Sequence, residues 1–287
     1  MLVTLTDVLK DSKEKGYAVP AFNVFGYEDA KACILAAEEL NAPVILATNK
    51  VAISHMPITI LGSILTQLAE SSSVPVVVHL DHGKDFQTVA QALKAGYSSI
   101  MYDGSQLSLD ENIKTTREVV KLAHALGVPV EAEIGAVGYS DPNLGVRAIL
   151  TNPEEAKVFA EGTGVDALAV AVGTLHRMEE QSAEIRYDLI NEIETLVSVP
   201  LVMHGSTGIP DEDLKKIAKT NFGKVNIGTA LRMKFGHSLR EQLDKNHDVY
   251  DRIELFGKAM DEVKEEAIQK MRLLNTQNYQ PNTLVLN

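Results

Sequence analysis

The sequence contains little cysteine, no tryptophan and no long run of apolar residues, and each shortage excludes a class of protein. The one cysteine, Cys33, excludes a disulfide framework and a zinc site built from several thiolates. Because no run of about 18 apolar residues occurs, no membrane span is predicted. The first residues, MLVTLTDVLKDSKEKGY, have neither the basic start nor the apolar run of a secretory signal. We therefore expect a cytoplasmic protein.

Basic residues are also scarce: 27 Lys and Arg stand against 39 Asp and Glu, a formal net charge of −12. This balance argues against nucleic acid as a partner, because binding its phosphates requires an excess of positive charge. The low aromatic content, 5%, argues against stacking surfaces for bases or sugars. The acidic chain can still bind a small anion at a local site.

Short apolar runs rich in β-branched residues alternate with longer amphipathic segments. Runs of this kind are typical of strands buried on both faces in a parallel sheet. The predicted strands are Val19–Val24, Pro43–Thr48, Pro75–Leu80, Ser98–Tyr102, Val128–Ile134, Ala167–Val172, Pro200–His204 and Lys224–Ile227. The helical patterns between them include Glu28–Leu40, Asp85–Ala95, Leu109–Leu126, Pro153–Gly162 and Asp211–Thr220.

Eight strands that alternate with helices predict an α/β fold of the (β/α)8 TIM barrel type with a C-terminal helical extension. We expect a single domain, 1–287, with the barrel ending at about residue 228, helices at about 229–274 and a polar tail at 275–287. A doubly wound sheet is the alternative. It is disfavoured because Asn23-Val24-Phe25-Gly26, and no Gly-x-Gly-x-x-Gly, follows the first strand.

Three histidines follow different predicted strands at the end of the barrel where active sites lie. His82 follows the third strand, His176 follows the sixth, and His204 is the last residue of the seventh. Three imidazoles suit Zn²⁺ or a similar divalent ion, and three protein ligands leave a coordination position open for a substrate. Strict alternation, however, places His79 and Asp81 on one face of the strand and His82 on the other. His82 therefore reaches the site only if the backbone turns there, and His79 is expected to pack below it.

Carboxylates accompany these histidines. Asp81 is either an acid–base group or a carboxylate that orients a metal-bound histidine. Glu133 is either a fourth, exchangeable metal ligand or an orienting carboxylate. Glu131 lies on the same face of the fifth strand as Glu133, and only one of these two glutamates needs to reach the metal.

Two small-residue segments predict an anion site. Gly205-Ser206-Thr207-Gly208 and Asn226-Ile227-Gly228-Thr229 follow strands seven and eight, where barrels frequently bind phosphate through backbone N–H groups. A metal opposite a phosphate suits a ketose phosphate, whose enediolate the metal stabilises as a Lewis acid while an acid–base residue handles the hydroxyl proton. The pattern thus favours a metal-dependent aldol reaction. A Schiff-base aldolase is disfavoured because Lys224 opens strand eight and is expected at the opposite rim.

At these residues the sequence resembles the class II, zinc-dependent ketose-bisphosphate aldolases, from about Val3 to Met271. The fructose- and tagatose-bisphosphate enzymes and an inositol-catabolism aldolase belong to the same group. The motifs that carry the resemblance are Pro20-Ala21-Phe22-Asn23-Val24, Val78-His79-Leu80-Asp81-His82-Gly83, Met101-Tyr102-Asp103-Gly104-Ser105, Val130-Glu131-Ala132-Glu133-Ile134-Gly135, Gly164-Val165-Asp166-Ala167-Leu168-Ala169-Val170 and Lys224-Val225-Asn226.

The resemblance implies one Zn²⁺ per subunit on the three histidines, with Glu133 as an alternative ligand. It implies that Asp81 is the proton donor to the nascent aldehyde oxygen. Residues near the substrate and its phosphate would be Asn23, Thr48, Gly205, Ser206, Thr207, Asn226, Ile227, Gly228 and Thr229. A monovalent cation (Na⁺ or K⁺) near the phosphate and a homodimer or homotetramer are also implied.

Two departures from the family pattern affect positions that face the substrate. Arg177 stands where glycine is usual, and it either binds a phosphate or sulfonate or points outward to an ion pair. In the loop after strand five, Asp141 stands where the family has a glutamate base, one methylene longer, so the base is Asp141 or is absent. The Gly205–Gly208 segment differs only mildly.

We therefore expect an aldolase that reversibly cleaves fructose 1,6-bisphosphate or tagatose 1,6-bisphosphate to dihydroxyacetone phosphate and an aldehyde. An aldolase of the same family acting on a deoxy-ketogluconate phosphate or a sulfonated ketose phosphate is an alternative. A non-catalytic sensor of sugar phosphates is another. A metal-dependent hydrolase ranks lowest, because the His-x-His pair typical of strand one in such barrels is absent.

Overall fold

The computed structural model describes residues 1–141 and 148–280, which contain a closed barrel of eight parallel strands. Each strand pairs with the next, and β8 pairs with β1 to close the ring. The strands are β1 Val19–Asn23, β2 Val44–Thr48, β3 Val76–Gly83, β4 Ser99–Tyr102, β5 Val130–Ile134, β6 Ala167–Val170, β7 Leu201–Met203 and β8 Phe222–Ile227. The predicted (β/α)8 barrel is confirmed, and the doubly wound alternative is wrong.

Helices surround this barrel. They are α1 Leu5–Leu9, α2 Ser12–Lys15, α3 Tyr27–Leu40, α4 Lys50–His55, α5 Ile58–Ser71, α6 Phe86–Lys94, α7 Leu109–His124, α8 Pro153–Thr163, α9 Tyr187–Leu196, α10 Asp211–Ile217, α11 Thr229–Lys245 and α12 Arg252–Leu273. The C-terminal helices α11 and α12 pack on each other, and α12 also packs on α3. Within the described ranges no helix is long and apolar enough to cross a bilayer.

Two apolar cores hold the barrel in place. The larger one lies between the outer faces of the strands and the helices. The smaller one fills the barrel interior with short and branched side chains such as Val19, Ala47 and Val77. Helix α1 belongs to this inner core, and the Tyr17 hydroxyl donates to the Val8 carbonyl at 2.9 Å. The N-terminal end of the barrel is therefore closed by apolar residues.

Part of the barrel interior is polar, in contrast to the branched aliphatic layers that usually fill such barrels. Alternation places two inward residues on each of three strands: His79 and Asp81 on β3, Glu131 and Glu133 on β5, and Lys224 and Asn226 on β8. The first residue of each pair lies deeper. The second faces the C-terminal end, where the predicted site residues lie.

The expectation that Lys224 lies at the opposite rim is wrong. Strand β8 begins at Phe222, two residues earlier than the pattern indicated, so Lys224 lies within the strand and is fully buried. Its Nζ lies 2.8 Å from Glu131 Oε2, which makes it one half of a buried ion pair. A Schiff-base role for Lys224 is still disfavoured, because its amino group is paired with a carboxylate.

The described part of the predicted C-terminal tail packs against the first strand region. Thr276 is fully buried and donates its hydroxyl to the Ala18 carbonyl at 2.8 Å. The Tyr279 ring stands edge-on to Tyr17, with centroids 6.0 Å apart. Residues 281–287 of the predicted tail lie outside the described residues.

Candidate active site

Three histidine rings meet at the C-terminal end of the barrel. One ring nitrogen from each of His82, His176 and His204 lies within 4.8 Å of the other two. The ring centroids are 4.6 to 5.8 Å apart. Three nitrogens this close together can surround one ion at Zn–N distances of about 2.0–2.1 Å. The structure thus brings together the three residues predicted as metal ligands.

An irregular strand end brings His82 into this site. Pairing of β3 with β4 changes register between Leu80 and Gly83, and His82 has a left-handed backbone with φ 52°. That conformation costs a non-glycine residue about 1–2 kcal/mol. It breaks the alternation that would have placed His82 opposite Asp81. The backbone turn that the sequence required is therefore present, as a bulge inside a longer strand.

Asp103 fixes the orientation of the His82 ring. His82 Nδ1 lies 2.6 Å from Asp103 Oδ2, and His82 Nε2 is buried with no hydrogen-bond partner among the described residues. Lys84 Nζ lies 2.5 Å from the same carboxylate oxygen. Burial opposes ionisation of Asp103, but His82 and Lys84 hold its pKa well below its usual range. Burial opposes protonation of His82, but Asp81 and then Asp103 outweigh it and raise the pKa of His82 to about 9. A metal that binds at Nε2 therefore displaces a proton from it.

Asp103 received no role from the sequence. It directly follows β4, at the same rim as the histidines. Its position after a predicted strand was the available signal. The motif around Asp103 carries the family resemblance but assigns this residue no role.

His204 is held from below. Its Nε2 lies 3.1 Å from Glu131 Oε1, and both residues are fully buried. Burial opposes ionisation of Glu131, but Lys224 outweighs it and lowers the pKa of Glu131 to about 2. A carboxylate can only accept, so His204 Nε2 carries the hydrogen. The lone pair of Nδ1 then faces Asn226 Nδ2, which lies 3.4 Å away.

His176 completes the group from the loop after β6. Its backbone N–H donates to the Gly138 carbonyl at 2.8 Å, and the Tyr139 ring packs on it with centroids 5.1 Å apart. Burial and the neighbouring imidazole of His82 hold the pKa of His176 well below its usual value. The ring is therefore neutral, as a metal ligand must be.

Glu133 supplies a carboxylate beside the rings. Its Oε1 accepts from the Val137 N–H at 3.1 Å, whereas its buried Oε2 has no hydrogen-bond partner within the described part of the chain. Oxygen Oε2 lies 3.8 Å from His82 Nδ1, and Glu133 forms a second candidate metal group with His82 and Asp103. Burial and Asp103 raise the pKa of Glu133 to about 8. Two unpartnered buried atoms, His82 Nε2 and Glu133 Oε2, thus fit a divalent cation.

Asp81 is held by two amides next to the histidines. Asn23 Nδ2 donates to its Oδ2 at 2.8 Å, and Asn226 Nδ2 donates to its Oδ1 at 2.9 Å. Burial opposes ionisation of Asp81, but His82 and then His204 hold its pKa below its usual value. Asp81 is therefore an ionised carboxylate, oriented to exchange a proton with a bound molecule.

A cavity of about 260 Å³ opens over these residues. Its lining includes these members of the predicted phosphate segments: Gly205, Ser206, Thr207, Asn226, Gly228 and Thr229. Gly205 has φ 69°, and a Cβ there would lie 2.5 Å from the Leu175 carbonyl oxygen. The Ser206 hydroxyl donates to the Asn226 carbonyl and so ties the two segments together. Helix α11 begins at Thr229, which also lines the cavity, and the Ala230 N–H in its first turn donates to the Thr207 hydroxyl at 3.3 Å.

Four predicted residues do not line the cavity, and the first of them is the buried His204. Thr48 is fully buried, with its hydroxyl 2.8 Å from the Tyr97 hydroxyl. Ile227 is 1% exposed and belongs to the apolar core. Asp141 is exposed on the loop after β5. Residues that sequence reasoning did not assign line the cavity near two of these positions, namely Asn49 and Lys50 beside Thr48, and Tyr139 beside Asp141.

Two arginines line the same cavity, and each lies on an aromatic ring. Arg177 Cζ is 5.4 Å from the Tyr139 ring centroid, and Arg232 Cζ is 5.8 Å from that of Phe25. Neither has an ion pair with a carboxylate in the described ranges. Burial and the proximity of Arg177 lower the pKa of Arg232. Arg177 thus faces the cavity, whereas the unpredicted Arg232 reaches it from the first turns of α11, directly after a segment already assigned to phosphate.

Comparisons with known proteins give matches over nearly the whole chain. Residues 3–279 match the family model "Fructose-bisphosphate aldolase class-II". The chain is 38% identical to a probable fructose-bisphosphate aldolase of Bacillus subtilis (strain 168), over 96% of this chain and 99% of the relative. It is 37% identical to a fructose-bisphosphate aldolase of Thermus caldophilus over the same shares. The crystal structure of the YdjI aldolase from Escherichia coli K12 superimposes with a TM-score of 0.86 at 32% identity, covering 96% of this chain and 98% of that one.

Proposed function

Because the chain belongs to the class II fructose-bisphosphate aldolase family, whose members are carbon–carbon lyases, we propose that it reversibly cleaves a ketose phosphate to dihydroxyacetone phosphate and an aldehyde. Fructose 1,6-bisphosphate and tagatose 1,6-bisphosphate are the first candidates. The observation that carries the proposal is the group of three histidines next to the amide-held Asp81, beneath a cavity with a glycine-containing anion segment.

We propose one Zn²⁺ per subunit on His82, His176 and His204, with Glu133 as an exchangeable ligand. The unpartnered nitrogen of His82 and oxygen of Glu133 support this assignment. When bound, such an ion supplies Lewis-acid stabilisation of the negative charge that develops at the substrate carbonyl. A Na⁺ or K⁺ ion near the phosphate is part of the proposal.

The catalytic acid–base residue in this proposal is Asp81. Its ionised state means that it first accepts the proton of the substrate hydroxyl as the carbon–carbon bond breaks. In the condensation direction the protonated carboxyl returns this proton to the aldehyde oxygen. Asn23 and Asn226 keep both carboxylate oxygens oriented during the exchange.

The phosphate of the dihydroxyacetone half is proposed to bind at Gly205–Thr207 and at 226–229. Arg177 and Arg232 support this placement, because both are free of carboxylate partners within the described residues and line the same cavity. A guanidinium matches a phosphate or sulfonate with two parallel hydrogen bonds. We expect Arg177→Gln and Arg232→Gln to raise KM for phosphorylated substrates more than they lower kcat.

Asp141 remains our proposal for the base that removes the carbon-bound proton of dihydroxyacetone phosphate. Exchange of that hydrogen with deuterated water, followed by NMR, isolates this step from carbon–carbon bond formation. We expect Asp141→Asn to slow the exchange strongly. Exchange at the wild-type rate would assign the step to another group.

The function is tested with a panel of ketose 1-phosphates and 1,6-bisphosphates, including a deoxy-ketogluconate phosphate and a sulfonated ketose phosphate. Zinc-loaded protein should release dihydroxyacetone phosphate from at least one of them, and a chelator should abolish the release. If no substrate yields product but one of them raises the melting temperature, the chain is a sugar-phosphate sensor instead.

We also propose that the chain forms a homodimer or homotetramer. Two apolar residues in and beside the connection between α11 and α12, Tyr250 and Ile253, are 84% and 79% exposed. Such side chains contribute to a contact between subunits where they form a contiguous apolar patch. Light scattering coupled to size-exclusion chromatography measures the subunit number directly.

A further inference from the structure

Beneath the three histidines lie four polar residues that the proposed mechanism does not use. They form what we term the interior polar layer: His79, Ser99, Glu131 and Lys224. All four are 0% exposed, and they come from strands β3, β4, β5 and β8. His79 Nδ1 lies 2.8 Å from Ser99 Oγ, and His79 Nε2 lies 3.6 Å from Glu131 Oε2.

This layer is not explained by stability. A buried ion pair is often no more stabilising than apolar side chains of the same volume, because both charges lose their hydration. Branched aliphatic residues fill the corresponding layers of most such barrels. Within the layer the pKa of His79 is lowered to about 3 by burial and then by Lys224, so His79 is neutral. The charges that remain are one carboxylate and one ammonium group.

The carboxylate of Glu131 links the layer to the candidate metal site. Its Oε1 lies 3.1 Å from His204 Nε2, and its Oε2 lies 2.8 Å from Lys224 Nζ. Rotation of the carboxylate away from the imidazole would also pull Oε2 away from the ammonium group and separate a buried charge pair. An imidazole whose Nε2–H is held in this way presents Nδ1, and only Nδ1, as a ligand.

We propose that Glu131, itself held by Lys224, is a positioning residue that fixes the tautomer and orientation of His204 so that Nδ1 faces the metal. This inference rests on the proposed function, because it requires an ion at the three histidines. Lys224 acts one step further away. It balances the charge of Glu131 and keeps its carboxylate in place.

The test uses two variants and one control, all measured on metal-stripped protein. The double variant Glu131→Gln, Lys224→Met removes both charges together, so no unpaired charge stays buried. Glu131→Asp keeps the charge pair but moves the carboxylate away from His204. Ser99→Ala is the matched control, since it alters the same layer without touching a residue that contacts His204. The readouts are the zinc Kd, by competition with a chromophoric chelator, and the visible spectrum of the Co²⁺-substituted protein.

We expect both Glu131 variants to bind zinc about ten- to a hundredfold more weakly than wild type and to alter the Co²⁺ spectrum. Ser99→Ala should match wild type in both. The double variant shows whether the pair serves only to stabilise the fold: a changed melting temperature with an unchanged zinc Kd would overturn the inference. Unchanged zinc binding by Glu131→Asp would overturn it as well. Failure of the wild-type protein to bind zinc would instead contradict the proposed function from which the inference starts.

Discussion

Individual backbone angles position two of the side chains that line the cavity. His82 and Arg177 both have a positive φ, 52° and 60°, which is uncommon outside glycine. Conformations of this kind concentrate at functional sites, where surrounding contacts hold them in place. At His82 those contacts include Asp103, and at Arg177 they include the Ser140 hydroxyl, which donates to its carbonyl at 3.0 Å.

Replacing Asp81 tests the acid–base assignment. Asp81→Asn keeps the size of the side chain but removes its charge and its ability to take up a proton. We expect kcat to fall by about 10²-fold or more, in line with general acid–base contributions, while zinc content stays that of the wild type. Steady-state kinetics and atomic absorption measure the two quantities. Normal turnover would show that another group handles the hydroxyl proton.

Gly205 allows a test of the close backbone approach in the anion segment. Gly205→Ala introduces a Cβ at φ 69° within 2.5 Å of the Leu175 carbonyl oxygen. Gly127→Ala is the matched control, because its φ is 72° but nothing lies within 4 Å of the new Cβ. The control should lose only about 1–2 kcal/mol of unfolding free energy from backbone strain.

The Gly205 variant should lose more stability than this control and should also raise KM for a phosphorylated substrate. Urea unfolding and initial rates measure the two effects. Equal behaviour of the two variants would mean that the Gly205 segment does not depend on this contact.

For single residues, the sequence indicated which residues belong to the candidate site better than it indicated which groups they contact. The sequence singled out His82, His176, His204 and Asp81, because polar residues after strands stand out in a chain of apolar runs. Lys224 was misplaced because a lysine inside a barrel breaks the apolar pattern by which a strand is recognised. The sequence assigned no role to Arg232, because helix periodicity does not show which residue near the start of a helix lines a cavity.

Among the structural elements, the loop after β5 is held by local hydrogen bonds and contains the cavity residue Tyr139. Ala136 and Ile149 pair at its base, and the Thr151 hydroxyl donates to the Ile134 carbonyl at 2.6 Å. The same hydroxyl accepts from the Ala171 N–H at 2.8 Å. The Thr151 side chain therefore joins the end of β5 to the end of β6. Tyr139 lies in the loop that connects these two strands.

Thr151→Val removes this hydroxyl at nearly constant volume. Because it leaves a buried carbonyl and a buried N–H without a partner, we expect a loss of about 1–3 kcal/mol of unfolding free energy. Amide hydrogen exchange at Ala171 should also accelerate. Thr151→Ser retains the hydroxyl and is the control. A valine variant as stable as the serine variant would show that water replaces both contacts.

Element boundaries were predicted well where a chemical signal marks them. Helix α11 begins at Thr229 as expected, and α7 begins at Leu109 after the Ser108 cap. Helix α12 begins at Arg252, because the Asp251 carboxylate accepts from the Ile253 and Glu254 N–H groups. Strand β3 extends to Gly83, three residues beyond its predicted end at Leu80. The pattern missed these residues because they include polar ones and pair irregularly with β4.

For the whole molecule, the total charge and the charge around the cavity differ. The chain carries −12, whereas the cavity is lined by four basic residues and three acidic ones: Lys50, Lys84, Arg177 and Arg232, and Asp81, Asp103 and Glu133. The composition argued against nucleic acid because of the total charge, but it could not reveal that basic residues gather around the cavity. This gathering depends on strands and helices far apart in the chain, which only the folded barrel brings together.

Metal binding should stabilise the whole fold. Adding zinc to chelator-treated protein at a free concentration a hundred times its Kd should contribute about 2.7 kcal/mol. We expect a rise in melting temperature on the order of 5 °C or more for a chain of this size. Differential scanning fluorimetry measures it, with His176→Ala as the control that should show little shift. A wild-type protein indifferent to zinc would contradict the three-histidine site.

The closure of the barrel has a consequence for how copies of this chain assemble. Since β8 pairs with β1, every strand of the ring has hydrogen-bonded neighbours on both sides. A sheet without a free edge offers no template on which a second polypeptide could add a strand. Self-association of the native protein must therefore proceed through helix faces and loops, and a fibrillar, strand-templated aggregate requires the ring to open first.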